Sequence, residues 1–325
     1  MLDDKKIKNY SRIGSRATFG LVALELGRQI ENLMILTADV STSAGLDRFK
    51  KTYPEKYLDV GIAEQNLISV AAGLASEGYK VITTTFAPFQ TMRCCEQIKV
   101  NLGYMENDVC MVGLASGVVL GTLGYTHCCI EDLALMRSIP GLKVLSPADC
   151  GATAKAIDAA MKAGGPTYIR LTGGARNEIV YESDFEFNIG RGIEVKSGED
   201  IVLLATGTMV STSLRVATLI ESKISISVGV YDIHSIKPID KELIQNVSSR
   251  SKVIATVEEH SVVGGLGSAV SEVKSQLEGG APQIFFGLPD RYGHGGEYDS
   301  LLQSSGLTSE NIAQSLMNKY RAVST

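Results

Sequence analysis

The chain has 325 residues, of which 21% are charged and 44% hydrophobic, and its formal net charge is −5. This composition is that of an ordinary enzyme, the length suffices for two domains with separate cores, and no Lys/Arg-rich block predicts a nucleic-acid or anionic-membrane surface. No apolar run reaches the roughly 18 residues of a membrane span, and residues 1–10 lack the apolar core of a signal peptide, so we expect a cytoplasmic protein.

Apolar, β-branched runs alternate with helical patterns through the first half of the chain. The predicted strands are residues 33–36, 81–85, 109–112, 143–145 and 167–171. The predicted helices are residues 15–32, 63–77, 89–102 and 150–163. Such alternation is typical of a parallel sheet that is covered by helices on both faces. A polar stretch with four glycines, residues 172–192, then interrupts the pattern.

The alternation restarts in the second half. The predicted strands are residues 201–205, 226–231, 252–257 and 283–287. The predicted helices are residues 211–223, 240–247, 266–277 and 309–320. The sequence therefore predicts an α/β protein of two doubly wound domains with mainly parallel sheets. We place the domains at residues 1–180 and 193–325, joined by a linker at residues 181–192.

Three features make the first domain a candidate for chemistry. The run 59–66 places Glu64 at the start of the apolar segment 67–75, which we predict to be a buried helix. A carboxyl group in apolar surroundings can share a proton near neutral pH. Phe86 and Phe89 lie three residues apart where a predicted strand turns into a helix, a spacing that lets both rings face one pocket.

A glycine-containing loop delivers a histidine shortly before the next helix. Residues 121–127 read Gly-Thr-Leu-Gly-Tyr-Thr-His, and residues 135–142 and 146–149 read Leu-Met-Arg-Ser-Ile-Pro-Gly-Leu and Ser-Pro-Ala-Asp. The imidazole of His127 could polarise a carbonyl oxygen or move a proton.

From about Gly14 to the C-terminus, these motifs resemble the second and third domains of transketolases, the pyrimidine-binding and C-terminal domains. The resemblance implies that Glu64 starts the chemistry by a hydrogen bond to N1′ of the aminopyrimidine of thiamine diphosphate. It implies that Phe86 and Phe89 stack on that ring, with Met92 in place of the family's third aromatic residue. It also implies that Asp39 and Val40 lie on the thiazolium side of the cofactor.

The same resemblance implies the substrate contacts. His127 would contact a donor ketose near its C1 hydroxyl and carbonyl, while Arg16 and Ser43 would hold the distal end of a substrate.

Other positions depart from the family. Leu123 replaces an aspartate that binds a substrate hydroxyl, residues 114–116 lack a phosphate-contacting histidine, and residues 172–173 lack an arginine, Arg176 being nearby but out of register. Losing one charged hydrogen bond to an anion costs ~1.5–3 kcal/mol, enough to change substrate preference. We therefore expect a non-standard donor or acceptor, such as a branched or sulfonated sugar or a sugar with no terminal anion.

The metal site of the family is missing from the sequence. Thiamine diphosphate enzymes hold the diphosphate through Mg²⁺ (or Ca²⁺), bound by Gly-Asp-Gly and a later Asn, and no Gly-Asp-Gly occurs here. We therefore predict no metal ligand in this chain. The resemblance implies a separate N-terminal transketolase subunit that carries the diphosphate domain and the metal, in an α2β2 heterotetramer.

Two other functions stay open. The chain could be the β subunit of a 2-oxo acid dehydrogenase, whose loop motifs match less well, or a non-catalytic regulatory subunit. The chains of the related 1-deoxyxylulose-phosphate synthases normally include the diphosphate domain.

The glycine run 264–269, after Glu258 and Glu259, is a weak dinucleotide motif that we interpret as structural. We also expect the six cysteines to be reduced and mostly buried, and His234, His260 and His294 to have no catalytic role.

Overall fold

The structure is a computed structural model and describes residues 4–173 and 177–324. Its strands are, in chain order, β1 Leu33–Thr37, β2 Tyr57–Asp59, β3 Lys80–Phe86, β4 Val109–Leu114, β5 Lys143–Leu145, β6 Thr167–Arg170, β7 Ile193–Lys196, β8 Ile201–Ala205, β9 Val228–Asp232, β10 Ser235–Lys237, β11 Val253–Ser261 and β12 Gln283–Leu288.

The α-helices are α1 Asp4–Gln29, α2 Asp47–Thr52, α3 Glu64–Ser76, α4 Ala87–Gln90, α5 Cys95–Gln97, α6 Asp132–Ser138, α7 Cys150–Ala163, α8 Met209–Lys223, α9 Lys241–Arg250, α10 Leu266–Lys274, α11 Tyr298–Ser304 and α12 Ser309–Ser324. Short 3₁₀ segments at Pro54–Lys56 and Gly121–Leu123 and a π-helical segment at Ile98–Tyr104 complete the helical structure of these residues.

The described residues form two sheets. The first has the order β10-β5-β6-β4-β3-β1-β2, and all neighbours are parallel except β10, which is antiparallel to β5. The second has the order β12-β11-β8-β9-β7, with β7 as its antiparallel edge. The prediction of an α/β fold with two mainly parallel sheets is therefore confirmed. In the central strands β4 and β8 every residue is buried, as expected for strands covered on both faces.

The prediction of one continuous helix at residues 89–102 is wrong, because the chain turns at residues 91–94 between α4 and α5, while residues 95–102 are helical. The Thr91 hydroxyl donates to the carbonyl of Ala87 at 2.7 Å, and the Cys94 thiol donates to the carbonyl of Phe89 at 3.1 Å. These side chains compete with helical amides for the carbonyls. The turn exposes Met92 and Arg93 at the surface.

The segment predicted as a buried helix at residues 67–75 lies in α3, which is buried along one face only. Leu67, Ile68, Ala71 and Ala72 are buried, whereas Ser69 is exposed. A one-sided apolar face is the ordinary pattern of a helix that packs on a sheet.

Strand β10 comes from the second half of the chain but pairs with the first sheet. Ser235 is opposite Leu145, Lys237 is opposite Val144, and the Ser146 amide donates to the carbonyl of His234 at 2.8 Å. The division of the chain at residues 181–192 stays a prediction, since this strand crosses between the two halves.

The cysteine and glycine interpretations agree with the structure. All six cysteines are free, and five of them are buried. The Glu258 carboxylate accepts hydrogen bonds from the amides of Leu266 and Gly267, at 2.7 and 2.8 Å, at the start of α10. A side chain at Gly267 would collide with the ring of Phe285. The glycine run is therefore a packing element.

Candidate active site

The candidate residues follow four neighbouring strands of the first sheet. Strands β4, β3, β1 and β2 lie side by side and parallel, so their carboxyl ends meet along one edge. Ligand sites of open α/β sheets form at such edges. The segments that leave these strands contain Asp39 and Val40 after β1, Glu64 after β2, Phe89 after β3 and His127 after β4.

Glu64 is the first residue of α3 and is only 4% exposed. Its Oε1 atom lies 2.8 Å from Nη1 of Arg93, whose side chain is 43% exposed. The Gln65 side chain holds the same segment by donating to the carbonyl of Arg93 at 3.2 Å. A carboxylate at a helix N-terminus also gains from the positive end of the helix dipole. Glu64 is thus a buried acid whose ion-pair partner is partly exposed.

The aromatic residues connect this acid to the histidine. The rings of Phe86 and Phe89 meet edge to face, with centroids 6.5 Å apart. The Arg93 guanidinium lies 4.0 Å from the centroid of Phe89, and the His127 ring lies 5.4 Å from the same centroid. Glu64, Arg93, Phe89 and His127 therefore form one continuous set of contacts. Phe86 and Phe89 are thus in contact at the strand end, and their role as a platform for one pocket stays a prediction.

The loop before α6 fixes the position of His127. Gly124 has φ 77°, a conformation that glycine adopts readily, and its carbonyl accepts the His127 amide at 3.0 Å. The Thr126 hydroxyl lies 3.0 Å from Nδ1 of His127. This contact engages Nδ1, and Nε2 has no hydrogen-bond partner among the described residues. In the same loop, the apolar side chain of Leu123 is 57% exposed.

A carboxylate that the sequence analysis missed holds the turn after β1. Asp59 Oδ1 accepts the amides of Asp39 and Gly61, both at 2.9 Å. Burial raises the pKa of Asp59, but these amide hydrogen bonds outweigh it and bring the pKa below its ordinary value. Asp39 has φ 57°, an unusual conformation that the negative charge of Asp59 stabilises. The adjacent Val40 is buried at 9% exposure.

Arg16 and Ser43 line the same part of the surface. Together with Gly14, Thr42 and Gly45 they line an open pocket of about 310 Å³. No hydrogen bond, ion pair or ring contact found among the described residues joins this pocket to Glu64 or His127. Arg176 lies outside the described residues. Met92 is 50% exposed, directly before Arg93 in the chain.

Arg93 was also missed, although it is the only cation among residues 87–98. The Cys94 thiol beside it stays protonated, because burial and the charge of Glu64 raise its pKa to about 12.

Within residues 4–173 and 177–324, no group of three or more His, Cys, Asp or Glu side chains could hold a metal ion. No helix in these ranges is long and apolar enough to cross a membrane.

Comparison with protein families matches this geometry. The family model of the transketolase pyrimidine-binding domain matches residues 11–176. The chain belongs to the transketolase family. The model of the transketolase C-terminal domain matches residues 190–312, so both halves of the chain have transketolase counterparts. The chain is therefore a transferase subunit of the transketolase type.

Three similar transketolase proteins match nearly end to end. An apulose-4-phosphate transketolase subunit from Phocaeicola vulgatus is 34% identical, covering 94% of this chain and 97% of that protein. The 6-deoxy-6-sulfo-D-fructose transketolase subunit of a Clostridium species is 34% identical, covering 92% of each. A solved split-gene transketolase, described as an inactive β4 tetramer, is 37% identical with a TM-score of 0.85, covering 94% of this chain and 98% of that chain.

Proposed function

We propose that this chain is the pyrimidine-domain subunit of a split, thiamine diphosphate-dependent transketolase. The observation that carries the proposal is the continuous set of contacts from Glu64 through Arg93 and Phe89 to His127. This set places a buried acid, an aromatic face and an imidazole at one sheet edge, which are the groups that a pyrimidine ring and a ketose would need. The cytoplasmic location predicted from the sequence is part of this proposal.

The residues at this edge fit the pyrimidine half of the cofactor. Glu64 offers a buried carboxylate for a ring nitrogen, Phe86 and Phe89 offer an aromatic platform, and Met92 offers a polarisable side chain. Asp39 and Val40 would line the thiazolium side. When bound, thiamine diphosphate supplies the carbon nucleophile and the electron sink for breaking a ketose C2–C3 bond. Glu64 would hold or move the proton at N1′ of the pyrimidine.

His127 would act on the substrate. Its Nδ1 atom is engaged by Thr126 at 3.0 Å, so Nε2 can donate to or accept from a substrate carbonyl or hydroxyl oxygen. The ring contact with Phe89 fixes its orientation relative to the cofactor platform. Arg16 and Ser43, in their open pocket, would bind the distal end of a sugar. The Arg16 guanidinium has no ion-pair partner among the described residues and can therefore take an anionic group.

A modified sugar is the substrate we propose. The loop that carries His127 presents the exposed apolar side chain of Leu123 and not a carboxylate. Such a loop cannot accept a hydrogen bond from a substrate hydroxyl at that side chain. The two relatives named for apulose 4-phosphate and 6-deoxy-6-sulfo-D-fructose make branched and sulfonated sugars the first candidates, and a sugar without a terminal anion the third.

The partner we propose is an N-terminal transketolase subunit with the diphosphate domain and its Mg²⁺ or Ca²⁺ site. Three similar proteins that match this chain over almost their full length are named as single subunits or as a split-gene product. An α2β2 heterotetramer would place Glu64 at the boundary between two subunits.

The first experiment is purification of the native complex from its source, followed by mass spectrometry of the protein and cofactor that co-elute. We expect a partner with Gly-Asp-Gly and a later Asn, together with thiamine diphosphate. The purified complex is then assayed for ketol transfer without a lipoyl acceptor, comparing kcat/KM for xylulose 5-phosphate with branched and sulfonated sugars. A lone chain without cofactor, or activity only with a lipoyl acceptor, would contradict the proposed function; a preference for xylulose 5-phosphate would contradict the proposed substrate.

A further inference from the structure

The loop that carries His127 is closed at its base by a short antiparallel bridge. The amides of Gly117 and Cys129 each donate to the other's carbonyl, both at 2.8 Å. His127 lies two residues before the bridge residue Cys129, so a shift of the bridge would move the His127 loop. What holds the bridge in place is buried behind it and comes largely from the second half of the chain.

On one side of the bridge, Arg170 of β6 anchors the first residue of α6, Asp132. Its Nε atom lies 2.8 Å from Oδ2 of Asp132, with the two side chains 1% and 0% exposed. Its Nη2 atom donates to the carbonyl of Glu259 at 2.7 Å. The first sheet is thus linked directly to β11 of the second.

On the other side, the Glu259 carboxylate reaches from β11 to the start of the loop. Oε1 accepts the Val118 amide at 2.9 Å, while Oε2 accepts the hydroxyls of Tyr298 at 2.6 Å and Thr208 at 3.1 Å. A side chain at Gly117 would collide with Oε1, so glycine is required for this approach. Burial raises the pKa of Glu259, and the charge of Arg170 opposes that rise.

The adjacent Glu258 provides a natural comparison. It is equally buried, at 1% exposure, but its hydrogen bonds go to the amides of Leu266 and Gly267 within the second half. Of these two neighbouring glutamates, Glu259 is the one whose carboxylate binds the His127 loop.

We propose that Glu259 is a positioning residue for His127, acting from the C-terminal domain through Val118. This inference rests on the proposed transketolase function. Without the carboxylate, the amide of Val118 loses its buried acceptor and the hydroxyls of Thr208 and Tyr298 lose their common partner. The bridge and the imidazole can then move together, and displacement of a catalytic group by about 1 Å can cost on the order of a hundredfold in rate.

The test is a double-mutant cycle on the complex of the full chain with its partner subunit. Glu259→Ala should lower kcat/KM at least tenfold in the wild-type chain but less than about twofold when His127→Ala is already present, because residues that act as a unit are not additive. Glu259→Gln should restore most of the activity, since its side-chain oxygen can still accept from Val118. If Glu259→Ala fails to fold, Tyr298→Phe, which removes one hydrogen bond to the Glu259 carboxylate, takes its place in the double-mutant cycle with His127→Ala.

The matched control is Glu258→Gln, for which we expect the same fold-loss of activity with and without His127. An equal fold-loss from Glu259→Ala in both backgrounds would reduce Glu259 to a general stabiliser of the fold and overturn the inference. An unchanged kcat/KM for Glu259→Ala would also overturn it. A wild-type complex that shows no ketol transfer would instead overturn the proposed function itself.

Discussion

Arg93 makes both of the contacts that we assign to the cofactor's pyrimidine ring. Its Nη1 atom lies 2.8 Å from Oε1 of Glu64, and its guanidinium lies 4.0 Å from the centre of the Phe89 ring. A ring that binds the same carboxylate and the same aromatic platform must compete with this side chain. Because Arg93 is 43% exposed, both contacts are weakened by solvent.

Removing Arg93 should therefore ease cofactor binding. A partly exposed ion pair and an exposed cation–π contact together contribute about 1 kcal/mol, which corresponds to roughly fivefold in affinity. We expect Arg93→Ala to lower the half-saturating concentration of thiamine diphosphate by about this factor, measured by titration of the complex at fixed metal concentration. Arg93→Lys is the control and should stay close to wild type. A higher requirement in Arg93→Ala would mean that Arg93 orients Glu64 for the cofactor.

Glu64 should be needed for turnover and not for folding. Replacing it with Gln keeps the shape but removes the group that holds or moves the proton, and such groups contribute about 10²- to 10⁴-fold to rate. We expect kcat to fall at least a hundredfold in Glu64→Gln, with a nearly unchanged melting temperature. The matched control is Glu77→Gln, at the exposed C-terminal end of the same helix. An unchanged rate for Glu64→Gln would favour a non-catalytic regulatory subunit.

Leu123 should determine which sugar is accepted. Its side chain is exposed in the loop of His127. An acidic side chain at this position would therefore offer a hydrogen-bond acceptor to the substrate without disturbing the core. We expect Leu123→Asp to raise kcat/KM for xylulose 5-phosphate relative to the preferred modified sugar by about 10-fold, because a hydrogen bond to a charged group is worth ~1.5–3 kcal/mol. Leu123→Asn adds polarity without charge and should have a smaller effect. If the ratio of kcat/KM values for the two sugars is the same in the wild type and both variants, Leu123 has no role in substrate selection.

The elements that the sequence predicts well are those with continuous apolar patterns. Strands β5 and β8 and helix α7 begin and end where expected, because their apolar residues follow the period of a strand or of a helix. Strands β2, β7 and β10 were not predicted. They are short edge strands that contain polar residues, and their pairing depends on partners far along the chain.

The same distinction holds in the candidate site. Phe86 and Phe89 meet because three residues separate them, which a local pattern can indicate. The contact between Glu64 and Arg93 joins different strand ends, and the bond from Val118 to Glu259 spans 141 residues. Contacts of this kind follow from the order of strands in the folded sheets and have no signature in either segment alone.

A buried aspartate in the second half should make stability depend on pH. Burial raises the pKa of Asp232 to about 8, from an ordinary value of 3.8, and the charge of Asp149 adds to this rise. The Tyr181 hydroxyl donates to Oδ2 of Asp232 at 2.7 Å, and this hydrogen bond opposes the rise. Between these two pH values the folded protein keeps a proton that the unfolded chain has released. This contribution is fully present below about pH 4 and is lost as the pH rises through about 8.

The substitution Asp232→Asn removes this titration while keeping the side-chain shape. We expect the melting temperature of the variant, minus that of the wild type, to increase steadily from pH 5 to pH 9 in calorimetry. Asp290→Asn, at an exposed aspartate, is the matched control. A difference for Asp232→Asn that does not change with pH would show that this carboxyl is ionised in the folded protein.

Strand β10 sets a limit on how this polypeptide can be divided. Cutting the chain at residues 181–192 would remove the antiparallel neighbour of β5 and leave one edge of β5 open, including the Ser146 amide that donates to the His234 carbonyl. Open edges of this kind recruit strands from other molecules, so the amino-terminal fragment should aggregate when expressed alone. New termini in fusions or circular permutants should therefore lie outside residues 143–237, because β5 and β10 then stay on one continuous segment.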